Sequence, residues 1–140
     1  MLQRIQSIYL LLATAVAGLA LVFPFGKATA TPDGTFQDGL LTYQDDILLL
    51  ATVAASAALA LVAIFLYRNY ALQKSISRVA LLSNAGASSV AVYDLFGSGA
   101  AGAGIGISLF LPTAAMLCIA LALRGIQRDE NIIKSSNRIR

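Results

Sequence analysis

The fold predicted by this 140-residue chain is all-α and membrane-embedded: an antiparallel bundle of four transmembrane helices with both termini in the cytoplasm. Three observations predict it. Hydrophobic residues make up 58% of the chain and charged residues only 12%, against about 25% charged in a typical soluble domain. The charges are gathered into short segments separated by long uncharged runs, which is the pattern of a polytopic membrane protein. Threading the chain four times through a bilayer also places almost all its basic residues on one side.

The clearest span is 46–67, DILLLATVAASAALALVAIFLY, uncharged after Asp46 and closed by Arg68. At about 1.5 Å per residue, some 20 apolar residues cross a hydrocarbon core of about 30 Å. Residues 5–25 form the first span, following Arg4. A secretory signal peptide is the competing reading, with Ala28-Thr29-Ala30 as its cleavage site. The apolar run exceeds the usual signal core of about 7–15 residues, so a retained helix is expected, with Pro24 at its exit.

Residues 26–45 form the one sizeable polar loop, on the outer side. Pro32-Asp33-Gly34 between threonines is a turn signal, so a short hairpin with arms at 28–31 and 35–37 is expected, an irregular loop being the alternative. Residues 68–75 form a short basic inner loop. The third span, about 76–95, is only moderately apolar, and its Ser83, Asn84, Gly86, Ser88 and Ser89 suit a helix that faces its neighbours. A tight turn at 97–99 leads to the fourth span, about 101–123. There Gly102 and Gly106 form a GxxxG step and Pro112 is expected to kink the helix. The tail, 124–140, reads as a basic cytoplasmic segment able to form an amphipathic helix on the membrane surface.

Orientation follows from the basic residues. Arg4, then Arg68, Lys74 and Arg78, then Arg124, Arg128, Lys134, Arg138 and Arg140 all fall on one side of a four-span chain. The other side holds Lys27 with Asp33, Asp38, Asp45, Asp46 and Asp94. The positive-inside rule therefore places both termini in the cytoplasm of a multi-pass inner-membrane protein. If the third segment did not span, the segregation would be lost.

Several function classes recede on composition. The basicity is accounted for by topology, so nucleic-acid binding is not expected. There is no histidine, which removes an imidazole haem ligand and the commonest general base. Cys118 is the only cysteine, which excludes an internal disulfide and a cysteine-based metal site, and mid-helix it reads as a packing residue. Gly97-x-Gly99-x-x-Gly102 follows a membrane helix rather than a β-strand, so it is discounted as a phosphate loop. No catalytic residues, cofactor or metal are assigned, and the chain is not expected to be an enzyme.

Three stretches carry a resemblance. They are the opening MLQRIQSIYLLLA, the connection LYRNYALQ at 66–73, and the end ALRGIQRDENIIKSSNRIR at 122–140, of which the last is the most specific. With these the chain resembles, over its whole length, an uncharacterised family of small four-helix inner-membrane proteins of Bacteroidota, classed as a domain of unknown function. Asn137 stands where that family usually has an aspartate, and the third span is more polar. The resemblance supports the topology and brings no activity, substrate or cofactor.

Small residues at Ala13, Ala17, Ala54, Ala58, Gly86, Gly102 and Gly106 are expected to line helix contacts. Ser83, Asn84 and Ser88 are candidates for polar interhelical contacts or a polar path. Arg124, Arg128, Lys134, Arg138 and Arg140, with Asp129 and Glu130, are candidates for docking a partner or lipid headgroups, and Glu130–Lys134 is an i,i+4 pair. Asp45-Asp46 fit a helix N-terminus, and Tyr93-Asp94 an interfacial aromatic beside a loop charge. No Asp, Glu, Lys or Arg lies deep in a predicted span, which argues against an autonomous ion-coupled pump. Two functions remain: a scaffold or accessory subunit of a larger membrane complex, with a membrane-protein partner or a second copy, or a small carrier or channel for a neutral or lipid-like molecule.

Overall fold

The computed structural model describes residues 3–27, 39–97 and 104–137. Four helices carry the chain: α1 (Gln3–Ala20), α2 (Ile47–Phe65), α3 (Tyr70–Gly97) and α4 (Leu111–Asn137), with a 3-10 turn, Ile107–Phe110, leading into α4. Three two-residue strands, β1 (Gly26–Lys27), β2 (Leu40–Leu41) and β3 (Gly104–Ile105), form an antiparallel sheet in the order β2-β1-β3. Three helical stretches are long and apolar enough to cross a membrane, Ile47–Phe65, Tyr70–Phe96 and Ile107–Ser135, while the apolar stretch of α1, Ile5–Ala20, is shorter.

Each helix packs on its neighbours in sequence, and α4 closes the ring against α1. One period governs all four. The buried positions are Gln6, Leu10, Ala13, Ala17 and Ala20 on α1, and Leu49, Val53, Ser56, Ala60 and Ala63 on α2. On α3 they are Gln73, Ser77, Ala80, Asn84, Ala87, Ala91 and Leu95, and on α4 Pro112, Ala115, Ile119, Ala122, Ile126 and Asp129. The steps are three and four almost throughout, averaging near 3.5, which is the period of helices crossing at about 20° with interlocking side chains. Alanine dominates these positions, and short side chains let the backbones approach closely. The outer faces are the reverse, with large apolar side chains such as Ile8, Leu82, Phe65, Phe96 and Leu117 more than half exposed. That distribution suits a hydrocarbon surround rather than water.

Local chemistry explains the helix ends. Asp46 caps α2, its carboxylate accepting the Leu48 N–H at 2.8 Å. Asp46→Ala is expected to cost about 1 kcal/mol, read as a lowered midpoint when unfolding in detergent is followed by circular dichroism. Asn69 caps α3 in the same way, accepting from the Leu72 N–H at 3.2 Å. The inner connection is therefore shorter than the expected 68–75, because a capping asparagine starts the helix at Tyr70. At the other end of α3's neighbours, α1 stops at Ala20 rather than near residue 25, and Leu21 and Val22 close turns back to Gly18 and Leu19.

The fourth span begins differently from expectation. Gly104–Ile105 is paired with β1 and Gly106 is extended (φ −88°, ψ 153°), so helix does not begin until after Gly106. Gly106, the second glycine of the expected GxxxG step, therefore does not lie on a helix, and Gly102 lies outside the described residues. Pro112 sits in the first turn of α4, where its missing N–H is one of the helix's unpaired donors anyway, and so it starts the helix instead of kinking it. Downstream, α4 runs unbroken through Ser135 and on to Asn137, so the polar tail continues the same helix beyond the apolar run and is not a separate helix.

The arms of the expected hairpin, 28–31 and 35–37, lie outside the described residues. What is described are the ends of that loop. Lys27 pairs with Leu40 and Gly26 with Leu41, and the other edge of β1 pairs Gly26 with Ile105. Gly39 has φ 66°, the left-handed region that glycine enters without a steric penalty. Behind the sheet, Phe25, Leu41 and Tyr43 are fully buried, the Phe25 and Tyr43 rings 4.9 Å apart. The Tyr43 hydroxyl donates to the Ser108 carbonyl (3.2 Å) and Ser108 Oγ donates to the Ala20 carbonyl (3.0 Å). Together these tie the loop to the ends of α1 and α4.

Candidate functional site

Two polar features interrupt the apolar bundle. The first is a seam along α3. Its buried face carries Gln73, Ser77 and Asn84, each at most 1% exposed, and α2 contributes Ser56. Gln73 Nε2 donates to the Ala63 carbonyl at 3.0 Å, which locks the start of α3 to the end of α2. Ser83 Oγ donates to the Thr52 carbonyl at 2.8 Å, holding the turn that bears Asn84 against α2. Yet the Asn84 amide nitrogen and oxygen, Ser56 Oγ, Ser77 Oγ and Gln73 Oε1 have no hydrogen-bond partner among the described residues. A buried amide left unpaired costs on the order of 1–3 kcal/mol, which makes Asn84 the costliest of these groups to bury.

The second feature is a charged end, where the start of α1, the end of α2, the start of α3 and residues 126–131 of α4 come together. Gln6 Nε2 donates to Asp129 Oδ2, both side chains buried. Lys74 of α3 pairs with Glu130 of α4, and Lys134 reaches the other Glu130 oxygen at 2.8 Å. Glu130 lies beyond Leu123, where the apolar run of α4 ends. Lys134 and Lys74 thus bracket the Glu130 carboxylate, one on each oxygen. Because Glu130 is clamped between α3 and its own helix, this end of the bundle is fixed by charge where it leaves the apolar zone.

The sequence candidates sort themselves against this geometry. Ala13 and Ala17 are buried in the seam of α1. Ala54, Ala58 and Gly86 are exposed instead, one or two residues out of phase with the buried positions Val53, Ser56, Ala60 and Ala87. At Gly86 an added Cβ meets nothing within 4 Å. Gly106 is a contact glycine, but against the backbone at Pro24–Phe25 rather than another helix. Of the polar candidates, Ser83 bonds between helices and Asn84 is buried, whereas Ser88 Oγ donates to the Asn84 carbonyl of its own helix at 2.9 Å.

In the tail, Asp129 and Glu130 are used internally, Arg124, Arg128 and Lys134 are exposed, and Arg138 and Arg140 lie outside the described residues. Asp45 accepts from the Thr42 N–H and hydroxyl and closes a turn, so with the Asp46 cap this acidic pair serves local structure. Tyr93 is exposed, and Asp94 and Cys118 are partly buried. Gln6, Ser56, Gln73 and Ser77 were not singled out from the sequence. Their signal was the 3.5-residue phase: 73, 77 and 84 share one helix face once Ala80 and Ala87 define it.

Fold and polar features together define a helical protein whose four helices include three of membrane-spanning length and apolarity. The chain belongs to the DUF4293 family, a domain of unknown function, whose model matches residues 2–139. No curated protein and no solved structure matches the chain.

Proposed function

We propose that this protein is a non-catalytic integral membrane protein, a scaffold or accessory subunit of a larger inner-membrane complex. In this reading it is a four-span antiparallel bundle with both termini cytoplasmic. The observation that carries the reading is where its polar groups are used. Asp129, Glu130, Lys74, Gln6 and Asp46 hold helices and caps in place, and the outer faces present large apolar side chains. A bundle built this way has little polar surface left for chemistry and much apolar surface for a neighbouring helix or lipid. The partner is another membrane protein or a second copy, and lipids fill the remaining surface. No cofactor and no nucleic acid enter this reading.

The test is gentle solubilisation from native membranes followed by mass spectrometry. A membrane protein present in fixed stoichiometry is the expected result. A lone chain accompanied only by lipid would overturn the accessory reading. It would favour a carrier for a neutral or lipid-like molecule, a reading supported by the unpartnered polar atoms of Asn84, Ser56 and Ser77.

A further inference from the structure

We propose that the crevice between α1 and α4 at the charged end holds the phosphate headgroup of an anionic membrane phospholipid. The crevice has a volume of about 180 Å³ and is neither flat nor enclosed. Ile5 and Tyr9 of α1 and Leu121 of α4 form its apolar walls, Gln6 and Asp129 its floor, and Arg128 its polar lip. Its floor exists because residue 125 is glycine. A Cβ there would stand 2.9 Å from Gln6 Cγ, so glycine lets Gln6 reach across to Asp129.

Charge makes the choice of occupant. The Asp129 carboxylate on the floor is buried and accepts from the neutral Gln6 amide, so an anion belongs at the outer lip beside Arg128 and not on the floor. Glu130 is taken by Lys74 and Lys134. Among the described residues Arg128 and Arg124, one turn apart on an exposed face, have no ion pair. The Arg128 guanidinium at the lip of the crevice matches a phosphodiester, which accepts several N–H donors at once, and Arg124, one turn earlier on the exposed face, adds positive charge nearby without lining the crevice.

The apolar surface selects a lipid over a free phosphate. Below the crevice, Ile8 and Leu12 on α1 and Leu117 on α4 are 61%, 49% and 65% exposed, continuing the walls as two ridges. An acyl chain can lie between these ridges while its headgroup sits in the crevice. The level is also right: the apolar run of α4 gives way to Arg124 here, at the depth where headgroups meet hydrocarbon. The inference needs the chain to sit in a bilayer but is independent of whether it has a protein partner.

The experiment is native mass spectrometry of the full-length protein in detergent, titrated with phosphatidylglycerol or phosphatidylcholine of identical acyl chains. One phosphatidylglycerol is expected to be retained in preference to phosphatidylcholine. The R124Q/R128Q double variant is expected to bind it roughly twenty-fivefold more weakly, about fivefold per arginine. Arg78→Gln removes an exposed basic residue on α3 and should leave binding unchanged. Ile5→Trp fills the crevice without altering charge and should also displace the lipid. Equal retention of the two lipids, an equal loss in R78Q, retention in I5W, or displacement by millimolar inorganic phosphate alone would each overturn the assignment. Co-purification of a partner reads the scaffold proposal separately, so the two stand or fall apart.

Discussion

Gly106→Ala is expected to be among the most damaging single-methyl additions in this chain. An alanine Cβ at this position would lie 2.4 Å from the Pro24 carbonyl oxygen and 2.8 Å from the Phe25 carbonyl carbon. Both are backbone atoms, so no side chain can rotate away to relieve the overlap. The chain must separate instead. That separation breaks the Gly106 N–H to Phe25 carbonyl bond, 2.8 Å, and the pairing of Gly26 with Ile105 next to it. It also loosens the buried Phe25, Leu41 and Tyr43 plug and the Ser108 links to Ala20 and Tyr43. The expected loss is about 3 kcal/mol, at the upper end for overpacking because backbone is displaced. Reversible unfolding in mixed detergent micelles measures it.

The control is Gly86→Ala. Position 86 is helical and exposed, with open space where the Cβ would go. Glycine in a helix interior costs about 0.5–1 kcal/mol relative to alanine, so this variant is expected to gain that much. If Gly106→Ala unfolds with the wild-type midpoint, the sheet β2-β1-β3 does not hold the chain ends together as described.

The contrast between these glycines shows where the sequence was legible. The apolar stretches and the Asp46 cap are local features, and local features can be read from the order of residues, whereas the end of α1 at Ala20, four residues before Pro24, was not. Glycine at 106 is required by Phe25, 81 residues earlier in the chain, and no spacing within 97–112 records that neighbour. From the sequence, Gly102 and Gly106 looked like a helix-contact step because they are four apart, and Pro112 looked like a kink because the helix was started too early. One early start produced both errors. Pro112 instead marks where the helix begins, a position proline favours.

Phase was the other difficulty. In α2 alanine is so frequent that small residues occur on every face, so Ala54 and Ala58 were as plausible as Ala60 and Ala63. The larger apolar residues could not decide between them, because in a bilayer they belong outside as well as inside. The polar residues could. Ser56 on α2 and Gln73, Ser77 and Asn84 on α3 are all buried, and a polar side chain in a membrane span turns inward. Phasing the helices on their polar residues rather than their small ones would have located the seam. The charged end was partly legible: the Glu130–Lys134 pair is local, whereas Gln6–Asp129 and Lys74–Glu130 join segments far apart in the chain.

Asn84→Ala follows from the same seam, and its expected effect is a gain. Asn84 lies midway along α3, fully buried, with neither amide atom bonded among the described residues. Its neighbours on the seam are Ala80 and Ala87. Removing the amide removes a desolvation penalty of about 1–3 kcal/mol. The small void left behind returns some of that cost, since the amide's few atoms lose their packing. The balance favours alanine by about 1 kcal/mol, measured by the same detergent unfolding. A loss of stability instead would mean that the folded protein satisfies the amide with a bound water or small polar molecule, and weight would move toward the carrier reading. A gain, with a stoichiometric partner still co-purifying, would show that the seam is dispensable for assembly. A residue that costs stability and is dispensable for assembly is then to be explained by some other use. The way to find that use is to compare what the stable Asn84→Ala protein fails to do in its native membrane.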